Sequence, residues 1–91
     1  MVTSGFFVFG GKMITYKAAK TKAVFYKSNV NMAVEYKDAW EFCAMKNGQV
    51  DGMPFFVTKK NGDIIELTEY MLNADDNISW ENVDFETGER V

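Results

Sequence analysis

Histidine is absent from this chain, and cysteine and proline occur once each, as Cys43 and Pro54. Without histidine there is no Ser-His or Cys-His nucleophile pair and almost no route to a zinc or non-haem iron site. A single thiol excludes an intramolecular disulfide. Arginine also occurs once, at Arg90, and the net charge is −3. Binding of duplex DNA by counter-ion release is therefore not expected. Apolar runs reach only four residues, as in Phe6-Phe7-Val8-Phe9, far short of the ~20 needed to span a bilayer. The first residues show neither a charged n-region nor a small-residue cleavage site, so no secretory leader is expected. These absences together predict a soluble cytoplasmic protein without membrane, metal or cofactor.

What is present is apolar and aromatic. Of 91 residues, 47% are hydrophobic and 15% aromatic, which places the chain among globular proteins. The length fits one domain, residues 1–91, near the lower limit for a self-sufficient core. So heavy an aromatic load in so small a domain predicts a homo-oligomer, because association supplies the burial a small core lacks. Charge is segregated along the chain. Residues 1–34 hold five lysines and no acid, whereas residues 63–91 hold nine acids against Arg90. Packing of one end on the other, head-to-tail association, or an anionic ligand at the basic end would each answer that asymmetry.

Period-two patterning dominates the secondary-structure reading. Residues 6–9 and 12–17 flank Gly10-Gly11 and predict a two-residue hairpin. Residues 22–27 alternate as a third strand, with Val24 and Tyr26 on one face and Ala23 and Phe25 on the other. Residues 30–36 alternate clearly as a fourth. The period changes at Asp38, where Asp38 and Glu41 resemble a capping box and Ala39, Phe42, Cys43 and Lys46 follow at helical spacing. This predicts a helix over 38–46, stopped by Asn47-Gly48. Pro54 opens a strand at 55–60, and Asn61-Gly62 predicts a type I′ hairpin into residues 63–68. A helical turn at 69–73, a polar loop at 73–77, a last strand within 78–85 and a frayed tail at 86–91 complete the chain. The expected class is α+β: a mostly antiparallel sheet of five to seven short strands packed on one short helix.

No catalytic constellation emerges. Cys43 falls on an apolar stripe and reads as a buried structural thiol. Asp75-Asp76 reads as a solvated loop, since paired catalytic carboxylates usually face each other from separate elements. Asn73, Asp75, Asn77 and Ser79 mimic calcium-loop positions, but Ile78 stands where glycine is required and Asp84 where the bidentate Glu belongs. Residues 5–12 echo a phosphate loop, but with Gly11 in place of its lysine. Residues 12–27 interleave lysines with Tyr16, Phe25 and Tyr26. Such a pattern suits nucleotide recognition, with aromatic faces for bases and ammonium groups for phosphates. It equally suits an aromatic core with a wet lysine face.

Tyr36-Lys37-Asp38-Ala39-Trp40-Glu41, leading to Met45-Lys46-Asn47-Gly48, resembles the opening helix of the second Thoeris anti-defence family of phage proteins. Phe56 to Asn61 followed by Gly62-Asp63-Ile64-Ile65 is similar to that family's later hairpin. Leu72-Asn73-Ala74-Asp75-Asp76, with Trp80 and Val83 beyond, is similar to its closing segment. The resemblance implies a non-enzymatic, oligomeric sponge that binds a cyclic nucleotide or cyclic ADP-ribose-type immune signal at subunit interfaces. The ligand-binding residues then expected are Tyr16, Lys17, Tyr26 and Lys27 from the basic segment, with Trp40 and Trp80. A second expectation, from a different class, is an acidic inhibitor that binds a host defence protein directly through its C-terminal third.

Overall fold

The computed structural model describes residues 13–73 and 79–91. Seven strands and two helices follow in the order α1 (Tyr16–Tyr26), β1 (Met32–Tyr36), β2 (Ala39–Cys43), β3 (Met45–Lys46), β4 (Gln49–Val50), β5 (Phe55–Thr58), β6 (Ile64–Glu66), α2 (Leu67–Asn73) and β7 (Trp80–Val83). Five strands form one antiparallel sheet in the order β6-β5-β2-β1-β7, and β3 pairs with β4 in a separate hairpin. The class is α+β, as expected. The first strand and turn of the expected hairpin, residues 6–11, and most of the polar loop at 73–77 lie outside the described residues. The second strand expected at 12–17 does not form, because residues 13–15 are irregular and Tyr16 and Lys17 open α1.

Two elements correct the sequence reading. The first is α1, which replaces the strand expected at 22–27. Tyr16, Ala19, Ala23 and Tyr26 recur at helical spacing, and Ala19 and Ala23 are fully buried. The Thr15 side chain caps the helix by accepting the Ala18 N–H at 3.1 Å. Because alanine is small and favours helix, this face settles closely onto the sheet. The second correction is β2, a strand where a helix over 38–46 was expected. It is the central strand of five, and clusters on both sheet faces take its residues, so apolar side chains point both ways and only Glu41 interrupts them. Trp40 and Phe42 point to the α1 side, whereas Ala39 lies in the cluster on the other side. The Asp38 carboxylate caps no helix; it accepts the Tyr70 hydroxyl at 2.6 Å.

The two Asn-Gly pairs also exchange roles. Asn47 and Gly48 both have positive φ, 55° and 78°, and join Lys46 to its partner Gln49 as a type I′ pattern requires. Asn61-Gly62 makes a longer turn instead. There only Gly62 has positive φ, and the Thr58 carbonyl accepts the Gly62 N–H at 2.8 Å while the Thr58 N–H donates to Asp63.

Aliphatic and aromatic burial divides between the sheet faces. Beneath α1 lie Ala33, Trp40, Phe42, Phe55, Val57 and Val83. On the other face α2 covers Tyr36, Ala39 and Phe56 with Tyr70. The segment 86–91, for which fraying is expected, follows a turn at Asp84. The Asp84 side chain accepts the Glu86 and Thr87 N–H groups, the Gly88 N–H donates to the Asp84 carbonyl, and Arg90 bridges Val83.

Candidate functional site

A groove of about 860 Å³ runs along the outer side of α1, between the helix and the C-terminal turn. Its helix wall comes from Tyr16, Lys17, Lys20, Thr21, Val24 and Phe25, Ser28 follows just beyond the helix, and Glu86 and Thr87 close the other side. Residues 17, 21 and 24 follow one another at i, i+4 and i+7, so a single helix face presents them together, and Ser28 joins them from the turn after the helix. Phe25 is 94% exposed. An aromatic ring in water beside lysines is a surface that stacks on planar ligands and attracts anions.

The two walls are tied together at the start of the helix. The Tyr16 hydroxyl donates to the Phe85 carbonyl at 2.6 Å, 69 residues away in sequence. Its ring stacks on Phe42 at 5.9 Å and meets Trp40 edge-on at 5.6 Å. Burial, followed by the charges of Asp84 and Glu86, pushes its hydroxyl up to about 12, so Tyr16 is a neutral donor at physiological pH. Gly88 takes φ +77°, and any side chain there would run into the Tyr16 ring. Lys20 bonds Glu86 at 2.7 Å and lies 4.9 Å from the centre of the Phe85 ring.

The six residues expected from sequence do not converge. Tyr16 and Lys17 stand in the groove. Tyr26 and Lys27 lie at the far end of α1 and line a smaller slot of about 230 Å³ with Pro54, Phe55 and Glu66. There Tyr26 meets Phe55 edge-on at 4.8 Å, and the Lys27 ammonium donates to the Asp51 carbonyl at 3.2 Å. Trp40 is buried in the core, 5.1 Å beneath the ammonium of Lys59. Trp80 is half exposed at the start of edge strand β7, paired in register with Tyr36. Lys20 and Phe25 belong to the interleaved lysine-aromatic pattern but not to the six expected residues, since only a helical phase for residues 16–26 brings them into one groove, and Glu86 carries no signal in the sequence.

A third concavity, of about 420 Å³, gathers Glu35, Lys37, Lys59, Glu81 and Arg90 at the other end of the sheet. Lys59 is almost fully buried and is neutralised there by Glu35 at 2.7 Å. Glu35 and Glu81 face each other across β1 and β7. Lys59 and Arg90 therefore offset a like-charge pair that would otherwise destabilise the sheet.

Cys43 is buried, and burial, reinforced by Glu41 and opposed by Lys27, pushes its thiol up, away from the reactive thiolate. Among the described residues no group of three potential metal ligands is gathered, and no helix is long and apolar enough to cross a membrane. Comparison with known protein families, curated proteins and solved structures finds no match for this chain. The functional reading therefore rests on the groove itself.

Proposed function

We propose that this protein is a non-enzymatic binder of a small anionic aromatic ligand, a cyclic nucleotide or cyclic ADP-ribose-type signal, which it sequesters as a homo-oligomer in a phage counter-defence role. The observation that carries the reading is the exposed Phe25 ring sharing a groove with Lys17 and Lys20. In this arrangement the base stacks on Phe25 and Val24, while Lys17 and Lys20 hold phosphate and Ser28 offers a hydroxyl donor; the Thr21 hydroxyl donates to the Lys17 carbonyl at 2.9 Å. The family resemblance supplies the counter-defence role and the oligomer; its opening-helix segment, residues 36–48, is strand and hairpin in this fold.

A thermal-shift panel of cyclic dinucleotides, cyclic ADP-ribose isomers and ordinary mononucleotides tests it. Ligand at about a thousand times its Kd stabilises by roughly 4 kcal/mol, and each kcal/mol moves Tm by about 4–8 °C in a domain of this size. Lys17→Glu with Phe25→Ala abolishes the shift if the groove is the site. The pair Tyr26→Ala and Lys27→Glu abolishes it if the smaller slot is.

Trp80 favours a second reading, direct inhibition of a host protein. It is half exposed on an edge strand beside Glu81, and an exposed tryptophan next to acids suits docking on a basic surface. Trp80→Ala with Glu81→Lys then abolishes capture of the host protein and leaves every nucleotide shift unchanged.

A further inference from the structure

Lys20 and Glu86 form an unequal pair. The Lys20 side chain is 24% exposed and Glu86 is 76% exposed. Lys20 is held by packing over the Phe85 ring, whereas the described contacts of the Glu86 carboxylate are limited to that one ammonium. The geometry points to Glu86 as a built-in counter-ion that an incoming phosphate displaces from Lys20, so that Glu86 sets the anion selectivity of the groove. This rests on the nucleotide-binding reading above for the identity of the ligand, but not for the exchange itself.

The physics is that of competing anions at a preorganised cation. Lys20 is already mostly buried and held over the Phe85 ring, so an anion arriving there orders little further. Glu86 leaves cheaply because an exposed ion pair is weak and its carboxylate returns to water. A doubly charged phosphate outcompetes a single carboxylate, and Lys17 in the same groove adds a second cation. A carboxylate ligand gains nothing by the exchange. The Asp84-centred turn holds the backbone of residues 86 and 87, so the side chain swings away without unfolding the wall.

The test is titration of the full-length protein with sodium pyrophosphate at constant ionic strength, followed by amide chemical shifts. The wild type should show saturable shifts at Lys20, Glu86 and Thr87. Glu86→Gln should bind pyrophosphate about two- to fivefold tighter, the fold-change equivalent of an exposed ion pair, and Lys20→Gln should lose the response. Acetate should leave the wild type unshifted and should shift Lys20 only in Glu86→Gln; an acetate response equal in both proteins overturns the inference. Equal pyrophosphate affinity in wild type and Glu86→Gln overturns the inference, and so does the absence of saturable shifts in both. The cyclic-nucleotide panel run on the same two proteins separates the two proposals. Nucleotide binding that is indifferent to Glu86→Gln leaves the sequestration reading intact and removes the exchange. Pyrophosphate exchange with a silent nucleotide panel does the reverse.

Discussion

The two faces of the sheet are closed by different chemistry. Under α1 the seal is made by methyl groups and rings: Ala19 and Ala23 let the helix approach, and Phe42 and Phe55 fill the space, stacked 6.1 Å apart. Under α2 the seal is made by phenols. Tyr70 stacks on Phe56 at 4.0 Å with the rings 7° from parallel, and Tyr36 meets both edge-on at 5.1 and 5.5 Å. The hydroxyls then reach carboxylates, Tyr70 to Asp38 at 2.6 Å and Tyr36 to Glu41 at 3.1 Å. A helix of seven residues buries too little to hold itself by area alone. Anchored phenols supply the orientation that the longer α1 obtains from packing.

If that contrast is right, the faces respond unequally to truncation. Phe42→Ala empties a fully buried position under α1 and should cost about 3–5 kcal/mol. That is a large part of the ~5–15 kcal/mol available to a small domain. Urea denaturation followed by circular dichroism should show the transition moved close to zero denaturant. Tyr70→Phe keeps the ring stack and removes one hydroxyl, so the same measurement should show a loss of only about 1 kcal/mol. Equal losses would end the distinction between a packed face and an anchored one.

Between those extremes lies the rim of the α1 face. Gly88→Ala places a side chain at φ +77° against the Tyr16 ring, which should cost about 2 kcal/mol or more. It should also break the Tyr16–Phe85 bond, visible as an altered Tyr16 hydroxyl environment by NMR.

Alkaline pH sharpens the comparison. Burial comes first among the causes that push Tyr16 and Tyr36 up to about 12, and it pushes Tyr70 up as well. A raised folded-state value means that the folded protein holds its protons longer than the unfolded chain. Stability is therefore whole below pH 10, the ordinary tyrosine value, and falls as pH rises from 10 toward 12. Two of these three tyrosines lie under α2. Tyr36→Phe with Tyr70→Phe should flatten most of that decline in pH-dependent melting curves, and Tyr16→Phe should flatten less of it.

The smallest effect is expected at Glu41. Burial pushes its carboxyl up, against the lowering effect of the Tyr36 hydroxyl bond. Its ionised form is thus disfavoured in the fold, and stability declines as pH rises through its titration. Glu41→Gln should raise Tm slightly at neutral pH, by less than about 1 kcal/mol in stability, because a neutral amide still accepts the Tyr36 hydroxyl.

The sequence revealed those elements whose signals are local. Alternation at 30–36 marked β1, Pro54 marked the entry to β5, and the strands expected at 55–60, 63–68 and within 78–85 contain β5, β6 and β7, although residues 67 and 68 already belong to α2. β2 was not, because a central strand covered on both faces shows five residues that fit either period. The Asp38 carboxylate that suggested a helix cap is claimed by Tyr70, a contact 32 residues away that leaves no local trace. α1 was hidden by chance alternation over 22–27, while its true stripe is carried by two alanines whose apolar weight is slight. The groove followed the same rule. Tyr16 and Lys17 were singled out for composition, but Lys20 and Phe25 join them only once residues 16–26 are wound into a helix.

The strand order β6-β5-β2-β1-β7 has a kinetic consequence. β1 and β2 meet across the two-residue link Lys37-Asp38, whereas the opposite edge of β1 waits for β7, with all of residues 37–79 in between. Closing that loop costs entropy that local hairpins do not. The terminal strand and its turn therefore dock late, after the rest of the sheet has formed. Since that turn is one wall of the groove, the groove closes only after the sheet that carries it has formed.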